Sequence, residues 1–205
     1  MISLAGSHRS GKTTLAKAYA EEFGLQFLPT QSSQVFKRLG LDPQSDYRFS
    51  DRLFIQNEIL MDAIDIYKSA STNRCITDRS PIDMLAYMMA DIQRETLTKS
   101  EDLRFMDYMH KCIETANRYI SVLIILSPGI EVVEDETKAP VTFGYIQHIS
   151  SLIKGISLNE SIEMPKYYIG NRVTDLSKRV IAMHGAITKA NNSTLLGLQE
   201  SVEVH

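Results

Sequence analysis

Eight consecutive residues, Gly6-Ser7-His8-Arg9-Ser10-Gly11-Lys12-Thr13, fit the spacing G-x-x-x-x-G-K-[ST]. The glycines of such a run let backbone N–H groups curl around phosphate oxygens. The lysine reaches the β- and γ-phosphates, and the Thr13 hydroxyl can hold Mg²⁺. Gly6, Ser7, His8, Arg9, Ser10, Gly11, Lys12, Thr13 and Thr14 are therefore the expected phosphate-binding residues. A second cluster, Asp78-Arg79-Ser80-Pro81, follows a short apolar run. Its Asp78 can share the metal with Thr13, directly or through water. Arg79 can project toward a substrate phosphate or hydroxyl. Phosphoryl transfer consists mainly of positioning and charge neutralisation, and these residue types supply both.

These groups need elements that bring them to one edge. Met1–Ala5 is a short apolar run suited to a buried strand, and Thr13–Phe23 follows with helical periodicity. A strand, a loop and a helix N-terminus together aim a dipole at an anion. Leu25–Leu28 reads as a second strand and Gln31–Leu39 as a short helix. Gly40–Pro43 is a turn. Leu53, Phe54, Asn57, Leu60, Met61, Ile64 and Tyr67 recur at three- and four-residue spacings, which predicts a helix over Tyr47–Ala70. Arg74–Asp78 is a third strand. Ser80 is a good N-cap for a helix that starts with Pro81 and turns Met84, Leu85, Tyr87, Met88 and Ile92 inward. Asp102–Tyr119 and Gly144–Ile156 read as helices, and Ser121–Leu126 and Tyr167–Ile169 as strands. Pro128–Phe143 lacks periodicity and reads as a lid loop. Asp175–Lys189 is the closing helix, and residues 191–205 are expected to be a loose tail.

Strands alternating with helices predict an α/β three-layer sandwich with a five-stranded parallel sheet and a single domain over residues 1–190. The chain has 205 residues, 43% hydrophobic, with a formal net charge of −3. That balance argues against nucleic acid or an anionic membrane as a partner chosen by overall charge, so DNA is not favoured. Cys75 and Cys112 are the only cysteines, which excludes a disulfide framework or a cysteine-rich zinc site and suits a reduced, cytoplasmic setting. No apolar run is long enough to span a membrane. An apolar helix face could serve a homodimer as well as a core.

With the Gly6–Thr13 loop, the long helix bearing Gln56, the Thr77-Asp78-Arg79-Ser80-Pro81 strand end and the late loop in place, the chain resembles P-loop kinases of the thymidylate kinase and deoxynucleoside kinase branch. It is most similar to small phage-type nucleotide kinases. The resemblance implies ATP and Mg²⁺ as cofactors, and γ-phosphoryl transfer to a (deoxy)nucleoside or its monophosphate. It places Lys12, Asp78 and Arg79 in catalysis. Gln56 could read a base edge, Lys138 could swing onto the transferring phosphate, and Phe54 or Tyr47 could stack on a base. Two departures stand out. The second strand is followed by Pro29-Thr30-Gln31-Ser32-Ser33, without the glutamate that serves deoxynucleoside kinases as base. The lid holds Glu131, Glu134, Asp135 and Glu136 against Lys138 alone, so Arg94, Arg104 or Arg172 could supply the missing cation. Other functions stay open: a kinase of a hydroxymethylated base in DNA, an ATPase, or a nucleotide-switched binding module. The last is weakened because no Asn-Lys-x-Asp run follows a late strand.

Overall fold

The computed structural model describes residues 1–30, 32–72, 74–92, 96–130 and 142–202. Five strands run in parallel in the order β2-β3-β1-β4-β5, formed by β1 (Ile2–Gly6), β2 (Gln26–Leu28), β3 (Cys75–Thr77), β4 (Val122–Leu126) and β5 (Lys166–Ile169). Around them lie α1 (Lys12–Phe23), α2 (Ser32–Leu39), α3 (Phe49–Lys68), α4 (Pro81–Ile92), α5 (Lys99–Tyr119), α6 (Phe143–Ser157) and α7 (Leu176–Val202). Parallel strands need crossover helices on both faces, which makes three layers.

The alternation along each strand assigns the layers. Leu4, Val122, Ile124 and Leu126 point to one face, where they pack with Leu15, Tyr19, Val180 and Met183 of α1 and α7. Ala5, Leu123 and Ile125 point to the other face, against Leu53, Leu60, Leu85, Met88, Tyr108 and Ile149 of α3, α4, α5 and α6. β4 is buried at every position because both of its faces are covered, which explains its unbroken apolar run. The register Ile2↔Val122 through Gly6↔Leu126 brings the carboxyl ends of β1 and β4 level.

Several boundaries differ from the sequence expectation. The α5 helix begins at Lys99 rather than Asp102, because Thr98 and Glu101 form a capping box ahead of it. The closing helix does not stop at Lys189. It continues to Val202, so residues 191–202 extend α7 where a loose tail was expected. Most of the predicted lid, residues 131–141, lies outside the described residues. Phe54 was expected to be core or a base-stacking ring, but it is 49% exposed on the outer side of α3. No helix of the described residues is long and apolar enough to cross a membrane.

Candidate active site

The loop between β1 and α1 is built around close backbone approach. A Cβ on Gly6 would lie 2.9 Å from the Leu126 carbonyl oxygen and 2.8 Å from Ser10 Oγ, so nothing larger than glycine fits. Gly11 caps α1 in the left-handed conformation (φ 85°) with no side-chain cap bond, which leaves the first-turn N–H groups of the helix for a ligand. Arg9 also has positive φ, 57°. Buried Ser7 Oγ and Ser10 Oγ find no partner among the described residues. Open helix N–H groups, unpartnered hydroxyls and a buried lysine form a donor set that fits polyphosphate.

Lys12 is 6% exposed, and its ammonium donates to the carbonyls of Gly6 (2.6 Å) and Ser7 (2.8 Å). Burial lowers its pKa to about 8, opposed in part by the negative charges of Asp83 and Asp78. Across the loop, Thr13 Oγ1 donates to Asp78 Oδ2 at 2.6 Å. Asp78 Oδ1 accepts from Thr30 Oγ1 at 3.2 Å and from the Thr30 N–H at 3.3 Å. A hydroxyl and a carboxylate in contact beside a phosphate cradle are hard oxygen ligands suited to Mg²⁺. Thr13 and Asp78 thus fit the metal role expected of them. Thr30 was not anticipated. It follows β2 and donates both its N–H and its hydroxyl to Asp78 Oδ1.

The backbone of the second cluster is pinned. The Arg79 carbonyl accepts from Ser3 Oγ (3.0 Å), Tyr67 Oη (3.3 Å) and Thr77 Oγ1 (3.4 Å). The Arg79 side chain lines a cavity of about 760 Å³ together with His8, Arg9, Ser10, Gly11, Lys12, Thr13 and Thr14. Gln56 lines the same cavity, with Phe36, Ile59, Met84, Tyr87 and Tyr145 forming its apolar, aromatic part. His8 was expected only in the loop. Its N–H donates to Tyr87 Oη at 3.1 Å, and its ring lies 5.7 Å from that of Tyr145. Burial and the nearby charges of Lys12, Arg79 and Arg9 lower the His8 pKa.

Other expected residues fall elsewhere. Tyr47 bonds through its hydroxyl to the Asp42 carbonyl (2.9 Å) and does not line the cavity. Arg104 and Arg172 are exposed. Arg94 and Lys138 lie outside the described residues. The cation that does reach the loop is Arg179, which is 1% exposed. Its Nε donates to Val173 O at 2.6 Å and one terminal nitrogen donates to Ser10 O at 2.7 Å. Asp175 places it there by capping α7 through the Lys178 N–H (2.9 Å). Asp83 was also missed. It is fully buried, and its Oδ1 accepts from the Gly6 N–H at 2.9 Å. Neither residue carries a local sequence signal beyond the helix register that contains it.

The fold and loop together define a P-loop α/β protein. Residues 1–162 match the family AAA_28, an AAA domain, and the chain belongs to that family. No curated protein sequence gives a significant match. Among solved structures, the fold is similar to that of deoxyadenosine kinase from M. mycoides. With bound dATP, that enzyme aligns with a TM-score of 0.67 at 12% identity, over 91% of this chain and 98% of the other. Its dCTP complex gives 0.64 at 11% identity, over 92% and 98%. The five-stranded parallel sheet flanked by helices is the P-loop kinase fold.

Proposed function

We propose that the chain is an ATP- and Mg²⁺-dependent phosphotransferase that moves the γ-phosphoryl group to a (deoxy)nucleoside or its monophosphate. The observation that carries this reading is the single cavity shared by the phosphate loop, Arg79, Gln56 and an aromatic end. The phosphate loop at one end and the aromatic lining at the other open onto one another. Lys12 and the loop N–H groups would hold the ATP phosphates, and Thr13 and Asp78 would hold the metal. Bound Mg²⁺ would neutralise charge on the phosphates between which the bond breaks.

In the reaction an acceptor oxygen forms a bond to the γ-phosphorus, the bond to the β–γ bridging oxygen breaks, and ADP leaves. A hydroxyl acceptor must also lose its proton to a base, whereas an ionised phosphate needs none. Both oxygens of Asp78 already accept hydrogen bonds, which suits the metal side better than proton abstraction. That supports a phosphomonoester as the acceptor. Arg79 would bind its charge, and Gln56 and the aromatic rings would take its base.

Purified protein assayed with ATP, Mg²⁺ and a panel of nucleosides and nucleoside monophosphates tests the reading. Phosphorylated acceptor should form, and Lys12→Ala should abolish it. ATP turnover that no acceptor alters, or none at all, would reject it and favour an ATPase or a binding module.

A further inference from the structure

A fully buried link between the phosphate loop and the residue after Arg79 is Asp83, on the first turn of α4. One oxygen accepts from the Gly6 N–H at 2.9 Å, at the start of the phosphate loop 77 residues away in sequence. The other accepts from the Ser80 N–H at 3.3 Å, directly after Arg79, while the Asp83 N–H donates to Ser80 Oγ at 3.2 Å. The second pair of bonds is a capping box, with aspartate in place of the usual glutamate.

Capping alone does not account for this residue. A cap contributes modestly, whereas taking a carboxylate out of water costs more than a cap returns. An exposed side chain would cap as well at no such cost. Burial pushes the Asp83 carboxyl up, and Lys12, Arg79 and the two N–H bonds oppose that shift. Lys12 donates to the carbonyl of Gly6 and Asp83 accepts from its N–H, so two buried side chains hold the peptide groups on either side of the Gly6 Cα. Gly6 is both the last residue of β1 and the first of the phosphate loop.

We propose that Asp83 is a positioning residue that locks the phosphate loop to the Arg79 segment, so that the donor and acceptor halves of the cavity keep one relative geometry. The inference rests on the phosphotransferase reading for its acceptor half and on ATP binding alone for its loop half. Without Asp83 the Gly6 N–H is buried and unpaired, and the start of the loop is no longer tied to the first turn of α4, while the His8–Tyr87 and Thr13–Asp78 bonds lie further along the loop.

The test compares Asp83→Ala, Asp83→Asn and a core control, Cys112→Ala, all below their thermal midpoints. ATP affinity is measured by calorimetry and acceptor KM by steady-state kinetics. A buried donor left without a partner corresponds to about tenfold in binding or more. Asp83→Ala should therefore raise both the ATP Kd and the acceptor KM by about tenfold. Asp83→Asn retains one acceptor oxygen and should recover one of the two. Cys112→Ala should lower the midpoint while leaving both constants unchanged. Wild-type Kd and KM in Asp83→Ala, whatever its midpoint, overturn the proposal. If Asp83→Ala does not fold, wild-type values of both constants in Asp83→Asn overturn it. If the wild-type chain binds ATP but phosphorylates no acceptor, the phosphotransferase reading fails and the ATP Kd alone decides the role of Asp83. A wild-type chain that does not bind ATP rejects both.

Discussion

Thr13 Oγ1 sits 2.6 Å from Asp78 Oδ2, although 65 residues separate them. The contact follows from the topology. β1 and β3 are parallel neighbours with Ser3 opposite Thr77, so the residues that follow the two strands emerge side by side. Thr30, after the next strand over, closes the row from the other side of Asp78.

If Thr13 and Asp78 hold one metal, they act as a unit and their losses do not add. Thr13→Ala and Asp78→Asn should each lower turnover by about 100-fold or more, a loss comparable to that of one transition-state stabilising group. The double variant should be scarcely worse than either single one. Each should also raise the Mg²⁺ concentration needed for half-maximal activity. Full additivity with an unchanged Mg²⁺ requirement would show that the pair is a structural hydrogen bond.

The pattern of what could be read from the sequence follows from the range of each interaction. The loop is local: Gly6 through Thr13 form it from their own backbone, and its spacing is visible in one line of sequence. The parallel five-stranded sheet was legible too, since alternating strands and helices imply parallel crossovers, but the strand order was not read from the sequence. Asp83 and Arg179 were not, because their partners lie 77 and 169 residues away. Asp83 occupies a helix turn beside inward-facing apolar residues, where an aspartate normally signals only a cap. Arg179 sits in a stretch of α7 rich in exposed polar residues, and nothing local distinguishes it from Lys178. The extension of α7 to Val202 was missed because the sequence after Asn191 is polar at first and then only weakly apolar, which reads as a tail.

Lys12 gives a pH dependence with a definite sign. Burial lowers its pKa to about 8, so near that pH part of the population is neutral. Polyphosphate binding favours the ammonium and raises the pKa, and the complex must take up protons above about pH 8. ATP affinity should therefore fall as pH rises through and beyond 8. Calorimetric titrations at pH 8.5 in buffers of different ionisation heat should reveal proton uptake, and the same heat in every buffer would contradict it. For stability the sign is opposite. The unfolded chain binds this proton more tightly, so the contribution of Lys12 to stability is least below pH 8 and grows as pH rises toward its ordinary pKa of 10.5.

Two glycines should respond in opposite ways to alanine. Gly6 has no room for a Cβ beside the Leu126 carbonyl, a backbone atom that cannot swing aside. Gly6→Ala should cost about 1–3 kcal/mol as overpacking and should also displace the loop, so ATP binding is lost along with stability. Gly185 lies within α7 with open space around it. There alanine relieves the backbone entropy of glycine and should stabilise by about 0.5–1 kcal/mol. Thermal midpoints and ATP titrations of the two variants check both signs. A Gly6→Ala protein that binds ATP normally would remove close packing as the reason for glycine at that position.

Arg179 should be irreplaceable by lysine. Its guanidinium spans two carbonyls with separate nitrogens, Val173 O at 2.6 Å and Ser10 O at 2.7 Å, and so ties the segment after β5 to the phosphate loop. A lysine ammonium is a point donor on a flexible stem and cannot hold two fixed acceptors in that fork. One of the carbonyls would be left buried without a partner, at a cost of about 1–3 kcal/mol. Arg179→Lys and Arg179→Ala should therefore both lower the thermal midpoint. Because Ser10 belongs to the ATP side of the cavity, both should weaken ATP binding more than they raise the acceptor KM. The ratio of those two effects is the measurement that matters. An equal rise in both would mean that Arg179 supports the domain as a whole, whereas an unchanged ATP Kd in a folded Arg179→Lys protein would free the loop from any dependence on α7.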